Sequence, residues 1–314
     1  MRVQDLSDND IRHRLTSTGL YFRLGGFTTR VRSRYPGMAH DFRRLYGPCE
    51  ADTADAEITD FHIDLDAPTW LRRYVRRQVI ADVEGPGPFI PLPADLSLLM
   101  LETAMNWCVA SRIRNVLILH SAVVEKNGKA VILPGESGSG KSTLAAALVA
   151  NGWRLLSDEF ALIRLSDGSA MPYPRPISLK NESIARMKTL FPDGLFVGPF
   201  EDTPKGTLAY LAPPVSAVEK DRVAARVEAF IFPTFSKGAA FEADEWPKAA
   251  GLGKLSLFSV NYTLLGRPAF ETLADLVDRC PIKAITYSSL DDAIGFVESM
   301  VAETRETQRA RAEA

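Results

Sequence analysis

Apolar residues along this chain recur first at short, irregular intervals, then at helical spacing, and finally in alternating strand-like and helix-like blocks. Up to about residue 93, short apolar runs such as FRLGGF mix with Gly and Pro, and Phe61, Ile63 and Leu65 alternate with His62 and Asp64 as a half-buried strand would. WLRRYVRR at 70–77 reads as a basic helix, and EGPGPFIPLP as an extended linker. From Ala94 to Arg112 the pattern becomes helical, with Leu98, Leu101, Ala104, Met105 and Cys108 on one face. Residues 115–125 are β-rich. Asn127 and Gly128 tolerate positive φ and signal a tight hairpin, with a return strand over 129–134. A helix over 142–150 stops at Asn151 and Gly152. Strands over 153–156 and 160–165 follow, with a turn at Asp167 and Gly168. Residues 170–220, rich in Pro and Gly, read as loop-heavy. A buried strand at 227–232, a helix at 270–278, a strand at 283–287 and a helix at 290–301 complete the pattern, before a charged tail that should fray. Strands alternating with helices point to an α/β sheet. The division expected is an α+β region over 1–93, a larger domain over 94–301 and the tail over 302–314.

Charge and composition narrow the field. In 314 residues, 37 Lys and Arg face 39 Asp and Glu, a net charge of -2, so no strong field selects nucleic acid or an anionic membrane. The basic cluster at 70–77 lies among acidic neighbours and reads as a solvated face. No apolar run approaches the roughly 18 residues of a membrane span, and the first residues lack the apolar stretch of a signal peptide, so a cytoplasmic protein is expected. Cys49, Cys108 and Cys280 are far apart and without CxxC spacing, which disfavours a zinc site or a disulfide framework.

The strongest chemical signal is GESGSGKS at 135–142, a full match to GxxxxGK[ST] between a strand (AVILP) and a helix (STLAAALV). In such a loop Gly135, Glu136, Ser137, Gly138, Ser139, Gly140, Lys141, Ser142 and Thr143 would cradle phosphates with main-chain N–H groups, helped by the positive end of the helix. Lys141 would neutralise the β- and γ-phosphates and Ser142 would hold Mg²⁺. The bland alternative is a glycine-rich turn with no ligand.

Counting rises places two more groups. The helix descends from Lys141 at about 1.5 Å per residue, and the next strand climbs back at about 3.3 Å per residue. Asp158 and Glu159 then end level with the loop, at the carboxyl edge of a parallel sheet; as the alternative, Asp158 merely caps a turn. The two-residue hairpin pairs Lys126 with Lys129 and sets His120 opposite Gly135, beside the phosphates. A lone histidine is as readily a structural residue, so both roles stay open. Arg175, Lys180 and Lys205, in the turn-rich stretch that follows, read either as a wall or lid over the phosphates or as ordinary surface charge. Asn261, Tyr262 and Arg267 have no register that would place them.

The order His120, loop, Asp158 resembles the HPr kinase/phosphorylase family, a P-loop variant akin to phosphoenolpyruvate carboxykinase. The pattern from LETAMNWCVA through LHSAVVEKNGKAVILPGESGSGKSTLAAAL to GWRLLSDEFALI and PRPISLKN looks like the subgroup called HPr kinase-related kinase A. The core resemblance spans about residues 95–185, and that to the subgroup most of the chain. It implies an α/β P-loop kinase core with a hairpin before the phosphate loop, plus a smaller α+β N-terminal region. It also implies roles: Lys141 and Ser142 as phosphate and Mg²⁺ contacts, Asp158 as the carboxylate that activates the substrate hydroxyl, and His120 as the histidine near it. Glu159 stands where the family has a second aspartate, and Glu182 is the nearest acidic candidate for a further metal ligand. The acidic, glycine-containing segment that the family links to dephosphorylation has no clear counterpart here, so the resemblance implies a kinase without implying a phosphorylase.

The function expected is therefore an ATP- and Mg²⁺-dependent kinase acting on a hydroxyl, foremost a serine of a small protein or peptide, with a small-molecule acceptor or a non-catalytic ATP sensor as alternatives. The partners expected are nucleotide and acceptor, without nucleic acid or membrane, and a homo-oligomer is allowed. A motor or transporter ATPase would need its acidic pair far downstream, whereas here the pair directly follows the first helix.

Overall fold

The computed structural model describes residues 1–52, 58–85 and 87–312, and within it the chain forms two units, residues 1–113 with 195–219, and residues 114–194 with 220–314. The division falls at 113/114 rather than at 93/94. The helix after the linker packs on strands of the first unit, and a later segment returns to that unit.

The first unit is built on a six-stranded sheet. Its strands are β1 (Leu20–Leu24), β2 (Phe27–Ser33), β3 (Glu50–Asp52), β4 (Phe61–Asp66), β5 (Gln78–Asp82) and β6 (Leu92–Pro93), in the order β3-β1-β2-β4-β5-β6. Phe61, Ile63 and Leu65 of β4 point to the buried face as their alternation predicts. Three helices accompany the sheet, α1 (Asp8–Thr16), α2 (Ala39–Tyr46) and α3 (Ser97–Arg112). Ser7 starts α1 with a capping box, its hydroxyl accepting from Asp10 N–H at 3.1 Å while the Asp10 carboxylate accepts from Ser7 N–H at 3.0 Å. Phe22, Phe42 and Tyr46 form an aromatic core with centroids 4.8–5.2 Å apart, and the Tyr46 hydroxyl donates to buried Glu102 of α3. The predicted face of α3 is buried throughout. The basic helix expected at 70–77 is a single 3-10 turn, Leu71–Arg73. Trp70, Leu71, Tyr74 and Val75 are exposed, so the segment buries no stripe, and a helix this short is marginal without one.

The second unit starts with β7 (Val116–Lys126) and β8 (Lys129–Pro134), then α4 (Lys141–Ala150), β9 (Arg154–Ser157), β10 (Phe160–Arg164), β11 (Ser169–Met171), β12 (Ile177–Lys180) and α5 (Glu182–Leu190). Residues 195–219, of the first unit, contribute β13 (Phe196–Thr203), β14 (Gly206–Leu211) and α6 (Val215–Glu219). The second unit resumes with β15 (Ala225–Phe235), β16 (Glu242–Glu245), α7 (Lys248–Phe258), α8 (Tyr262–Leu265), α9 (Arg267–Arg279), β17 (Ile282–Tyr287) and α10 (Leu290–Ala312). The stretch 170–220 is thus mostly regular structure, not loop. Pro172, Pro174 and Pro176 lie in the extended run between β11 and β12, Pro199 at a register shift of β13 against β14, and Pro192, Pro204, Pro213 and Pro214 in the turns between elements, outside the ladders they would break. The charged tail continues α10 to Ala312.

The sheet of this unit runs β11-β10-β7-β8-β15-β17-β16, with β9 also on β7. β15 pairs parallel with both β8 and β17, and β7 is antiparallel to all its partners. β8 is buried along its whole length, which explains its unbroken apolar run. Leu255 of α7 and Leu273 and Leu276 of α9 pack with Leu119, Ile132 and Phe230 in one core, and α4 packs on β7 and against α10. All three cysteines are buried thiols, and burial pushes those of Cys108 and Cys280 up to about 11. Among the described residues no helix is long and apolar enough to cross a membrane.

The β7–β8 hairpin has the register its turn predicts, from Lys126 opposite Lys129 to Ser121 opposite Pro134. Asn127 (φ 56°) and Gly128 (φ 80°) both occupy the left-handed region. A Cβ at Gly128 would meet nothing within 4 Å, so substitution there tests the backbone alone. Gly128→Ala is expected to lower stability by about 1–2 kcal/mol, the left-handed penalty, read as a shifted denaturant midpoint at unchanged slope.

Candidate functional site

Two residues of β7 organise the site. On one side of Ser121, β8 ends at Pro134 and the glycine loop begins. On the other side, β9 and β10 follow one another along the same edge of β7. Ser157 pairs with Val123 and Phe160 with His120, leaving Asp158 and Glu159 as an interruption in what is otherwise one long strand. Ser121 N–H donates to Glu159 O at 3.1 Å across that break. The acidic pair therefore does not stand at the carboxyl edge of a parallel sheet, as the helix-and-strand count implied. It sits in a break of an antiparallel neighbour, and it still reaches the loop because His120 and Ser121 serve both flanks.

The loop is held from several directions. Gly138 (φ 92°) and Gly140 (φ 96°) take left-handed conformations that let the main chain turn into α4. Buried Lys141 folds its ammonium back onto the loop, donating to Gly135 O at 2.6 Å and Glu136 O at 2.9 Å. Phe235 N–H donates to Ser139 O at 3.0 Å, and the Tyr287 hydroxyl lies 3.4 Å from Gly140 O. A Cβ on Gly140 would come within 2.6 Å of that hydroxyl. Glu136, Ser137 and Gly138 are exposed at the tip, and Ser142 and Thr143 are half-buried at the start of α4.

Asp158 is 2% exposed. Its Oδ2 accepts from Ser178 N–H of β12 at 3.0 Å. Its Oδ1 is buried and has no hydrogen-bond partner among the described residues. Burial pushes its carboxyl up to about 7, with the Glu159 charge adding to the rise, while the Ser178 N–H, the Ser142 hydroxyl and Lys141 pull the other way. Lys141 is lowered by its own burial, against the opposing pull of Asp158 and Glu159. His120 Nδ1 lies 3.8 Å from Glu159 Oε2, and its ring meets Phe160 edge-on at 6.3 Å.

The structure thus brings together His120, the loop residues 135–143, Asp158 and Glu159. Glu182 is not among them: it is exposed at the start of α5 and makes no hydrogen bond or ion pair with the loop among the described residues. Asn261 also lies elsewhere, its buried amide accepting from Ile118 N–H at 3.0 Å and donating to Val116 O at 2.9 Å, so that it caps an otherwise open edge of β7. Three contributors escaped the sequence reading. Ser178 holds Asp158 through its main chain, which no side-chain pattern reveals, and Phe235 and Tyr287 arrive from strands far along the chain.

The surroundings fit a phosphate with its divalent ion. Asp158 Oδ1 and Ser139 Oγ are buried oxygens without partners among the described residues, and the space a Cβ on Gly138 would occupy is open. Among the described residues no three His, Cys, Asp or Glu converge as a self-sufficient metal cage.

Comparison with known proteins gives partial matches. A family model described as SynChlorMet cassette protein ScmC matches residues 92–180, which contain every residue of the assembled site except Phe235 and Tyr287. Two HPr kinase/phosphorylases of Clostridium botulinum, from strains Eklund 17B / Type B and Alaska E43 / Type E3, are each 43% identical over 51 residues. That segment is 16% of this chain and 17% of each relative, so the match spans about a sixth of their length. The Hpr(Ser) kinase/phosphatase of Coxiella burnetii aligns with 61% of this chain and 98% of its own at a TM-score of 0.26 and 12% identity, a score that carries no argument. The chain is a mixed α/β protein with partial homology to HPr kinase/phosphorylase.

The raised Asp158 carboxyl has a thermodynamic signature. In the unfolded chain it ionises near pH 3.8, whereas in the ligand-free fold it keeps its proton to about 7. Stability therefore falls as pH rises through that window, by up to about 1.4 kcal/mol per pH unit, and levels above it. Asp158→Asn is expected to flatten the slope in denaturant midpoints taken between pH 4.5 and 8 with chelator present. An unchanged slope would mean that the carboxyl is ionised throughout.

Proposed function

We propose that this protein is an ATP-dependent phosphotransferase of the HPr kinase-related kinase A kind, moving the γ-phosphoryl group to a hydroxyl acceptor, foremost a serine of a small protein or peptide. The observation that supports it most is the placement of two buried ionisable side chains, an amine and a carboxyl, on the two flanks of one strand. Lys141 lies on the loop flank and Asp158 on the other. A module that only sensed nucleotide would have no use for a buried carboxylate with an unpartnered oxygen there. The curated relatives are named for kinase action on a protein, HPr, which favours a protein or peptide acceptor.

In this reading residues 135–143 form a phosphate loop whose N–H groups face the β- and γ-phosphates of ATP. Lys141 exchanges its carbonyl partners for phosphate oxygens. Ser142, Asp158 and Glu159 would hold Mg²⁺, which when bound neutralises charge on the phosphate oxygens. Asp158 accepts the proton of the acceptor hydroxyl as the new O–P bond forms and the bond to the β-phosphate oxygen breaks, releasing ADP. A carboxyl tuned to about 7 is matched to a proton transfer at neutral pH. His120, beside Glu159, orients that side of the site.

Two measurements test this. ATP with Mg²⁺ is expected to raise the melting temperature of the wild type by linkage, and Lys141→Ala to abolish the shift at moderate nucleotide concentration; equal shifts would remove the phosphate-loop assignment. Asp158→Asn is expected to leave nucleotide affinity little changed. Transfer from labelled ATP into the acceptor found in cell extract should meanwhile fall by roughly 10²–10⁴. Full turnover in that variant would leave a nucleotide-binding role without catalysis by Asp158.

A further inference from the structure

β12 approaches the site with more than one group. Its Ser178 N–H holds Asp158 Oδ2 at 3.0 Å, and two residues on, the Lys180 ammonium donates to Ser137 Oγ at 3.1 Å, at the exposed tip of the loop. The backbone of Lys180 is fixed on both sides: its N–H donates to Ser183 Oγ at 2.9 Å, and that hydroxyl donates back to Lys180 O at 2.7 Å. Asn181 follows with φ 50°, a left-handed residue that ends the strand and turns the chain into α5. The lysine stem therefore leaves a rigid strand end rather than a loose surface segment. Lys180 is half-buried, and its ammonium meets the exposed tip of the loop.

Lys141 enters the loop from the α4 end, whereas Lys180 reaches the opposite end, the tip at Ser137. It comes from the strand that also holds the carboxylate on the attack side. We propose that Lys180 is a second phosphate-binding cation that contacts the terminal phosphoryl group and so lets the site distinguish a nucleoside triphosphate from a diphosphate. In the ligand-free protein its ammonium rests on Ser137, a neutral hydroxyl and a weak partner for a full charge. A terminal phosphate oxygen offers the anionic acceptor that this ammonium lacks at rest. Lys141 and Lys180 thus bring one ammonium to each end of the loop, and two like charges on one loop favour an anion between them.

The inference rests on the nucleotide-site reading, and the test separates the two. Calorimetric titration of the full chain with Mg²⁺ would compare the non-hydrolysable β,γ-imido analogue of ATP with ADP, for wild type, Lys180→Met and Lys180→Arg. Lys180→Met is expected to weaken the triphosphate analogue by roughly ten- to a hundredfold, the range of one charge-assisted hydrogen bond, while ADP changes by no more than about twofold. Lys180→Arg should keep most of the preference. The melting temperature without ligand should stay unchanged, because the resting bond to Ser137 is solvent-exposed. Equal losses for both nucleotides, or no loss for either, would overturn the role of Lys180 while leaving the phosphate loop in place. Failure of the wild type to bind either nucleotide would remove the nucleotide reading, and Lys180 with it.

Discussion

Everything at the site is measured from β7, the strand that carries a different partner on each flank. A β-ladder permits only whole-residue steps, and each step turns every side chain to the opposite face. Once the Asn127 and Gly128 turn fixes β8, the point where the loop leaves the sheet is set by Ser121. Once β10 aligns Phe160 with His120, the break at Asp158 and Glu159 is set by the same two residues. Glycine loop and carboxyl are set in place by the ladder, and the pull of Ser142 and Lys141 on Asp158 follows from that placement. Their separation is the width of one strand.

That arrangement makes the burial of charge tolerable. Removing a lone ammonium or carboxylate from water is heavily unfavourable, and a protein answers by pairing it, by main-chain hydrogen bonds or by shifting its titration. All three answers appear here. Lys141 is satisfied by two loop carbonyls, Asp158 by an N–H of β12 with the Ser142 hydroxyl, and the remaining mismatch is expressed as a carboxyl that ionises near neutrality. Oδ1, without a hydrogen-bond partner among the described residues, is what remains of that compromise.

Much of this was legible in the chain because its signals are local. GESGSGKS, the Asn127 and Gly128 turn and the apolar runs around them are short-range patterns, and they place the hairpin, the loop and α4 to within a residue. The antiparallel setting of β9 was not legible, since the rise of a strand is the same whichever neighbour it pairs with. The same blindness explains Phe235 and Tyr287, which are ordinary strand aromatics until the sheet order brings them under Ser139 and Gly140. At 70–77 the failure runs the other way: helix-compatible residues found no surface to cover, and the chain kept only a turn. In 170–220 Pro and Gly sit in the connections and at an irregularity of β13 rather than marking the absence of strands.

The interruption between β9 and β10 bears on how such a site can diversify. The distance from His120 to the loop is counted along a two-residue hairpin, and the distance from His120 to Asp158 is counted across a ladder. Neither count passes through α4 or the turn at residues 151–153 that follows it. Helix and turn can therefore lengthen or shorten by descent, with β9 re-entering at the same rung, and the chemistry keeps its geometry. One codon gained within either strand, at 121–126 or 129–134, has no such outlet short of a bulge: it would turn that strand by a face and carry the loop away from the carboxylate. Lineages of this fold should accordingly record their insertions and deletions after the glycine loop and hold the hairpin before it at constant length.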